Sequence, residues 1–244
     1  MTVQEFSNGF DVLVSSYRRF KDFDNKEELD SIEFNEYEKS VFLTKAQEEL
    51  VLSLYNGKNS FGDSFEKTEE LRRYLSNLVE VANLDPITTT NGHPLGVESY
   101  STFFTLPEKL WFITYEAVIT SDSACGEGGT MDVYPVTQDE YHKIKRNPFR
   151  GANNRRALRL DLSEGVVEIV CKYDVTNYYI RYLKRLEPIV LEDMPNGLSI
   201  DGKSDANPCK VHSSLHQRIL EMAVMRALES KGIGVRTNRE QNNN

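Results

Sequence analysis

The chain has 244 residues, 39% of them hydrophobic and 10% aromatic, enough to build a core of ordinary globular size. Its 38 acids against 29 bases give a net charge of −9, which excludes a generally basic nucleic-acid binder while leaving room for a local basic patch. No apolar run reaches the roughly 18 residues a spanning helix needs, and MTVQEFSNGFDV has neither the basic nor the apolar region of a signal peptide. Cys125, Cys171 and Cys209 are few and odd in number, which suits a reducing compartment and thiols without a structural bridge.

The first third reads as helical. Thr2 and Glu5 have capping-box spacing, and Phe6, Phe10, Leu13, Tyr17 and Phe20 then recur every three to four residues. Gly9 interrupts that stripe at a cost of about 1 kcal/mol relative to Ala. The acid-rich stretch from Asp22 to Asp30 reads as a solvated connection. Asn35 with Glu38, and Thr44 with Gln47, repeat the capping spacing. They predict two consecutive helices, about 36–42 and 45–55, stopped by Asn56-Gly57. A third helix is expected within 64–82 on Leu71, Leu75, Leu78 and Val79, followed by a loop through TTTNGHPLG.

From about residue 100 the pattern changes to strand. LWFITYEAVIT (110–120) suits a strand buried on both faces, and CGEGGT (125–130) turns the chain into MDVYPV, whose Pro135 predicts an edge position. Thr137 and Glu140 start a short helix through about Lys145, ended by Asn147-Pro148. ALRLDL, GVVEIVCKYDV and NYYIRYLKR then predict a three-stranded antiparallel meander, and PIVL an extended segment. A last helix covers about 214–230, and the tail TNREQNNN has nothing to pack with. The fold class is therefore α+β: a helical N-terminal third, a central antiparallel β-sheet and a C-terminal helix. The regions 1–85, 100–200 and 201–244 are expected to share one composite domain.

Three constellations bear on chemistry. CGEGGT lacks the glycine spacing and Lys-Ser/Thr ending of a phosphate loop, and reads as a hairpin loop with an idle thiol at Cys125. Cys209, His212 and His216 form a C-x2-H-x3-H array that offers three ligands to a tetrahedral zinc, with no fourth in view; packing and capping roles are the simpler reading. Asp161, Glu164, Asp174 and Asp201 fit turn caps. No catalytic residue, cofactor or metal is expected.

Charge segregation is the feature with physical content. Residues 141–160 carry Lys143, Lys145, Arg146, Arg150, Arg155, Arg156 and Arg159 with no acid, whereas residues 22–49 carry Asp22, Asp24, Glu27, Glu28, Asp30, Glu33, Glu36, Glu38, Glu48 and Glu49 against three lysines. Uncompensated like charges repel unless something negative faces them. Three readings remain open: a solvated loop, a contact with the acidic stretch of a neighbouring copy, or contact with nucleic-acid phosphates.

FNEYEKSVFLTKAQEELVLSLYNG (34–57), YYIRYLKRLEPIVL (178–191) and SIDGKSDANPCKVHSSLHQRIL (199–220) together resemble a virion structural family of crAss-like bacteriophages, the head-to-tail connector or tail ring proteins. The resemblance covers most of the chain. It implies a non-enzymatic subunit of a homo-oligomeric ring, of about twelve copies, stacked with the portal and neighbouring tail or ring proteins. Double-stranded DNA would pass its lumen without sequence-specific contact. It also implies residence in the virion after assembly in the cytoplasm of the bacterial host, with no membrane partner. On that reading Arg146, Arg150, Arg155, Arg156 and Arg159 make subunit contacts answered by Glu27, Glu28, Asp30, Glu36 and Glu38. The rivals are a DNA-contacting packaging or portal-accessory module and, less favoured, a metal-dependent hydrolase using Cys209, His212 and His216.

Overall fold

A computed structural model describes residues 1–21, 33–58, 67–87, 96–122, 128–163, 165–195 and 197–232. In chain order the elements are α1 (Val3–Lys21), α2 (Glu36–Asn56), α3 (Glu69–Leu75), β1 (Val79–Leu84), β2 (Ser101–Thr105), β3 (Leu110–Thr120), β4 (Thr130–Pro135), α4 (Gln138–Ile144), β5 (Arg156–Asp161), β6 (Val166–Val170), β7 (Val175–Lys184) and α5 (His216–Ser230). Two compact units contain them. One joins Met1–Leu78 to Leu186–Asn244, and the other is Val79–Arg185. The expected solvated connection at 22–30, most of the TTTNGHPLG loop, Cys125 with the centre of its turn, Glu164 and the C-terminal tail lie outside the described residues.

The helical unit is built on two reciprocal caps. Thr2 and Glu5 exchange hydrogen bonds at 2.7 and 3.2 Å, and Asn35 and Glu38 do so at 2.8 and 3.1 Å. Phe6, Phe10 and Val14 of α1 are buried. Gly9 has a packing reason: a Cβ there would stand 2.8 Å from Leu220 Cδ2 of α5, so the missing side chain lets the two helices approach.

α2 is a single helix, closed by Gly57 at φ 74°, and not the two that Thr44 and Gln47 predicted. Those polar residues serve an extended segment instead. Ser40 Oγ accepts the Leu191 N–H at 3.0 Å, Thr44 Oγ1 accepts the Ile189 N–H at 3.1 Å and donates back to the Ile189 carbonyl, and Gln47 donates to the Glu187 carbonyl at 3.0 Å. Positions 40, 44 and 47 share one helical face, and 191, 189 and 187 alternate along the segment, so the helix acts as the missing strand for an otherwise orphaned backbone. The helix expected over 64–82 is shorter. After α3 comes a 3-10 turn (Ser76–Leu78), and Val79 already belongs to β1. Asp201-Gly202 forms a tight turn with φ 46° and 78°, closed by paired hydrogen bonds between Ile200 and Lys203.

The second unit is one sheet, in which the described strands run β1-β7-β3-β4-β5-β6-β2. Neighbours are antiparallel except β4 and β5, which are parallel. The sheet is thus mixed, because α4 provides the crossover that a parallel pair requires. The expected meander does not form: β6 pairs with β5 and β2, while β7 pairs with β1 and β3. Likewise, Pro135 is the last residue of an internal strand and not part of an edge, and β3 is only half-buried over its first five residues.

The sheet curls into a half-barrel, and two distances demand it. Val170 and Val175 can be at most about 18 Å apart along the chain, whereas flat strands four places apart would sit about 19 Å away. Across five strand intervals, Phe104 of β2 and Tyr178 of β7 have ring centroids only 5.4 Å apart. The concave side holds one core of Phe104, Val118, Met131, Val133, Val167, Ile169, Ile180 and their neighbours. On the convex side α4 covers only β5 and β6, packing Tyr141 on Leu158, Leu160 and Val170.

Candidate subunit-contact surface

The basic run lies on the return limb of the α4 crossover. Thr137 caps α4 by accepting the Glu140 N–H, and past Lys145 the chain turns on Asn147. Asn147 Oδ1 accepts the N–H groups of Phe149 (2.9 Å) and Arg150 (3.2 Å), and its carbonyl accepts the Gly151 N–H at 2.7 Å. A Cβ at Gly151 would lie 2.8 Å from that carbonyl and 2.9 Å from the Ile144 carbonyl, so only glycine fits. Asn153 Oδ1 accepts the Arg155 N–H at 2.9 Å, and Arg156 Nη1 donates to the Phe149 carbonyl at 3.0 Å. The result is a braced loop. Lys143, Arg146, Arg150 and Arg155 are exposed around it, and Phe149 is 83% exposed among them.

The seven bases of the run are not equivalent. Lys145 lies 3.6 Å from Glu98, and the guanidinium carbon of Arg156 stands over Tyr134, 4.1 Å from the ring centroid. Arg159 points into the half-barrel. Its Nη1 donates to Glu116 Oε2 at 2.9 Å, and Tyr178 donates to the same oxygen at 2.5 Å. Asp161 Oδ1 stands 3.0 Å from the Arg159 Nε, out of line with the N–H, so that contact is electrostatic and the buried Nε has no aligned acceptor. Burial raises the Glu116 carboxyl above its ordinary range, against the pull of Arg159 and the Tyr178 hydroxyl; burial also drives the Tyr178 hydroxyl far upward. The charge of Arg159 is met within its own chain.

Of the acidic partners read from the sequence, Glu27, Glu28 and Asp30 lie outside the described residues. Glu36 accepts from Lys39 at 2.8 Å, which Asp11 also binds at 2.7 Å, so this buried ammonium is shared by α1 and α2. Glu38 closes the α2 capping box, and Glu49 pairs with Arg226 of α5. The Cys209, His212 and His216 side chains are committed separately. Cys209 Sγ donates to Gln47 Oε1 at 3.1 Å, His212 Nδ1 accepts the Ser214 N–H at 3.4 Å, and His216 Nε2 donates to the Val211 carbonyl at 2.9 Å. Burial lifts the Cys209 thiol to about 11 and lowers the His216 imidazole. Among the described residues no three metal-ligating side chains converge.

The family model described as phage tail ring protein 3/4 matches residues 1–240. The chain belongs to this crAss-like phage ring-protein family. Ring protein 3 of Bacteroides phage crAss001 is 44% identical over 234 residues, covering 95% of this chain and 96% of the relative. Ring protein 4/5 of the same phage is 28% identical over 233 residues, covering 92% and 91%. Within this ring-family chain, sequence reasoning passed over Phe149 and Tyr134. Their signal was present as an aromatic between two arginines in a Pro- and Gly-bounded loop, and a tyrosine beside a strand-ending proline.

Proposed function

We propose that the chain is a non-enzymatic structural subunit of the virion. It closes sideways with identical copies into a ring, of about twelve subunits, around the duplex-DNA channel between head and tail. The portal and adjacent ring or tail proteins stack on it, and assembly takes place in the cytoplasm of the bacterial host. The ring names of its relatives and the family description support this reading. The observation that carries the contact itself is the braced loop that holds Lys143, Arg146, Arg150 and Arg155 around an exposed Phe149 on a chain with net charge −9.

An exposed aromatic in a rigid, positively charged rim is the arrangement of an interface hot spot, because ordering costs little and desolvating the ring gains much. The acids of the same chain, Glu27, Glu28 and Asp30 above all, supply the complementary charge and set register. Arg156 supports the loop from Tyr134, while Arg159, Glu36 and Glu38 act within the chain. A surface and its complement at different places on one molecule make a heterologous contact, which builds rings.

The test is the Arg150→Glu/Arg155→Glu double variant, compared with the parent by native mass spectrometry and negative-stain microscopy. The parent assembles into closed oligomers that weaken with salt, and the variant stays monomeric with an unchanged circular-dichroism spectrum. Assembly of the variant at the parent's concentration would remove the loop from the contact. Tight, steeply salt-dependent duplex binding by a monomeric parent would favour the packaging-accessory reading instead.

A further inference from the structure

The convex side of the half-barrel divides in two. α4 covers β5 and β6, whereas on the outer side of β1, β7, β3 and β4 several large apolar and aromatic side chains are exposed. Val81 is 57% exposed, Tyr115 45%, Tyr134 43% and Ile119 38%. Register places Val81, Arg181 and Tyr115 in one cross-strand row, and Asn83, Tyr179, Ala117 and Asp132 in the next. Arg181 Nε donates to the Tyr179 hydroxyl at 3.0 Å, and its guanidinium sits 5.9 Å from the ring centroids of both Tyr115 and Tyr179. Arg156 over Tyr134 continues the strip toward Phe149, whose carbonyl it holds.

An antiparallel sheet with one packed face ordinarily alternates to polar residues on the other. Here the solvent side carries tyrosines, β-branched residues and arginines, the composition of an interface core, in side chains already held by their neighbours. We infer that this strip, from Val81 across Tyr115 and Tyr179 to Tyr134, is the seat of a second copy of the chain. The inference rests on the ring reading and deepens it: the neighbour that receives the basic loop also lies along the sheet.

Charge selects that occupant. Among the described residues neither Arg156 nor Arg181 has a carboxylate partner, and Asp132 is the acid that shares their rows. Two arginines against one aspartate make the strip positive on a chain of net charge −9. Duplex DNA is the weaker candidate. The guanidiniums stand among tyrosine rings, each with one donor already given to Phe149 or Tyr179, and Val81 and Ile119 gain nothing from phosphate.

The experiment uses the full chain with p-benzoylphenylalanine at position 115, irradiated under conditions where native mass spectrometry reports the parent's oligomeric state. The expected product is a chain–chain adduct mapped to a second copy, and Tyr115→Ser/Ile119→Ser should weaken self-association at least tenfold while the monomer keeps its spectrum. If the parent forms oligomers but position 115 gives no chain–chain adduct and the double variant assembles normally, this inference falls and the ring reading stands. A parent that never oligomerises overturns both. Adducts formed only with added duplex DNA overturn the choice of occupant.

Discussion

Replacing Arg159 with alanine separates a structural arginine from the exposed arginines that precede it in sequence. The Arg159 and Glu116 side chains are only 11% and 9% exposed, and Glu116 also accepts the Tyr178 hydroxyl. Removing the guanidinium leaves a carboxylate in a site where burial already opposes ionisation. Breaking one partner of such a pair costs about 3–5 kcal/mol at neutral pH. The penalty should itself depend on pH. Glu116 has a folded-state pKa raised above its unfolded value, and loss of Arg159 raises it further. The folded variant then binds more protons than the unfolded chain, so its stability falls as pH rises through the folded value and recovers toward the unfolded one. Urea unfolding at pH 7.5 and pH 5 reads both effects as midpoint shifts at constant slope. Arg159→Met with Glu116→Leu, which removes both charges, should cost less than Arg159→Ala alone. A single variant within about 1 kcal/mol of the parent at pH 7.5 would show that the carboxylate is hydrated and that the pair is no determinant of the half-barrel.

Two further predictions concern the helical unit. Thr44→Val keeps the shape of the side chain but leaves the Ile189 N–H and carbonyl without their partner; it should cost about 2 kcal/mol and speed hydrogen exchange at Ile189 far more than in the middle of α2. Gly9→Val places its Cβ against Leu220 Cδ2 and should destabilise by about 2 kcal/mol in thermal unfolding; Leu220→Ala in the same chain should relieve part of that cost, and strict additivity would deny the close approach.

The order of elements was legible because it depends on local rules. The caps at Thr2, Asn35 and Thr137, the Gly57 stop and the aromatic face of α1 each follow from a few adjacent residues. Sheet topology was not, since β6 and β7 are consecutive in sequence and pair with different strands; only the curl that brings Phe104 to Tyr178 makes so short a link between them possible. The misread break in α2 has the same origin. Thr44 and Gln47 look like a cap to a local rule, and their true partners are about 140 residues away. In the candidate contact surface, the arginine run was legible as composition. What distinguished Arg159 from Arg155 was a glutamate on β3, and what made the loop rigid was an asparagine whose turn chemistry was read only as a helix stop.

Net charge and available charge are different quantities, and only the second bears on association. Seven bases between 141 and 160 suggest a strongly repulsive patch. One of them is neutralised inside the sheet, one is shared with Glu98 and one lies on a tyrosine, which leaves Lys143, Arg146, Arg150 and Arg155 fully presented. The helical unit does the same with Lys39, which a count of residues 22–49 scores as a weak counter-charge but which is buried between Asp11 and Glu36. Such internal pairs are screened little by salt, whereas the four presented bases are screened over a Debye length of about 10 Å at 0.1 M. Under the proposed ring reading, raising ionic strength should therefore loosen contacts made through the loop well before it disturbs either unit, so that salt takes subunits apart without unfolding them.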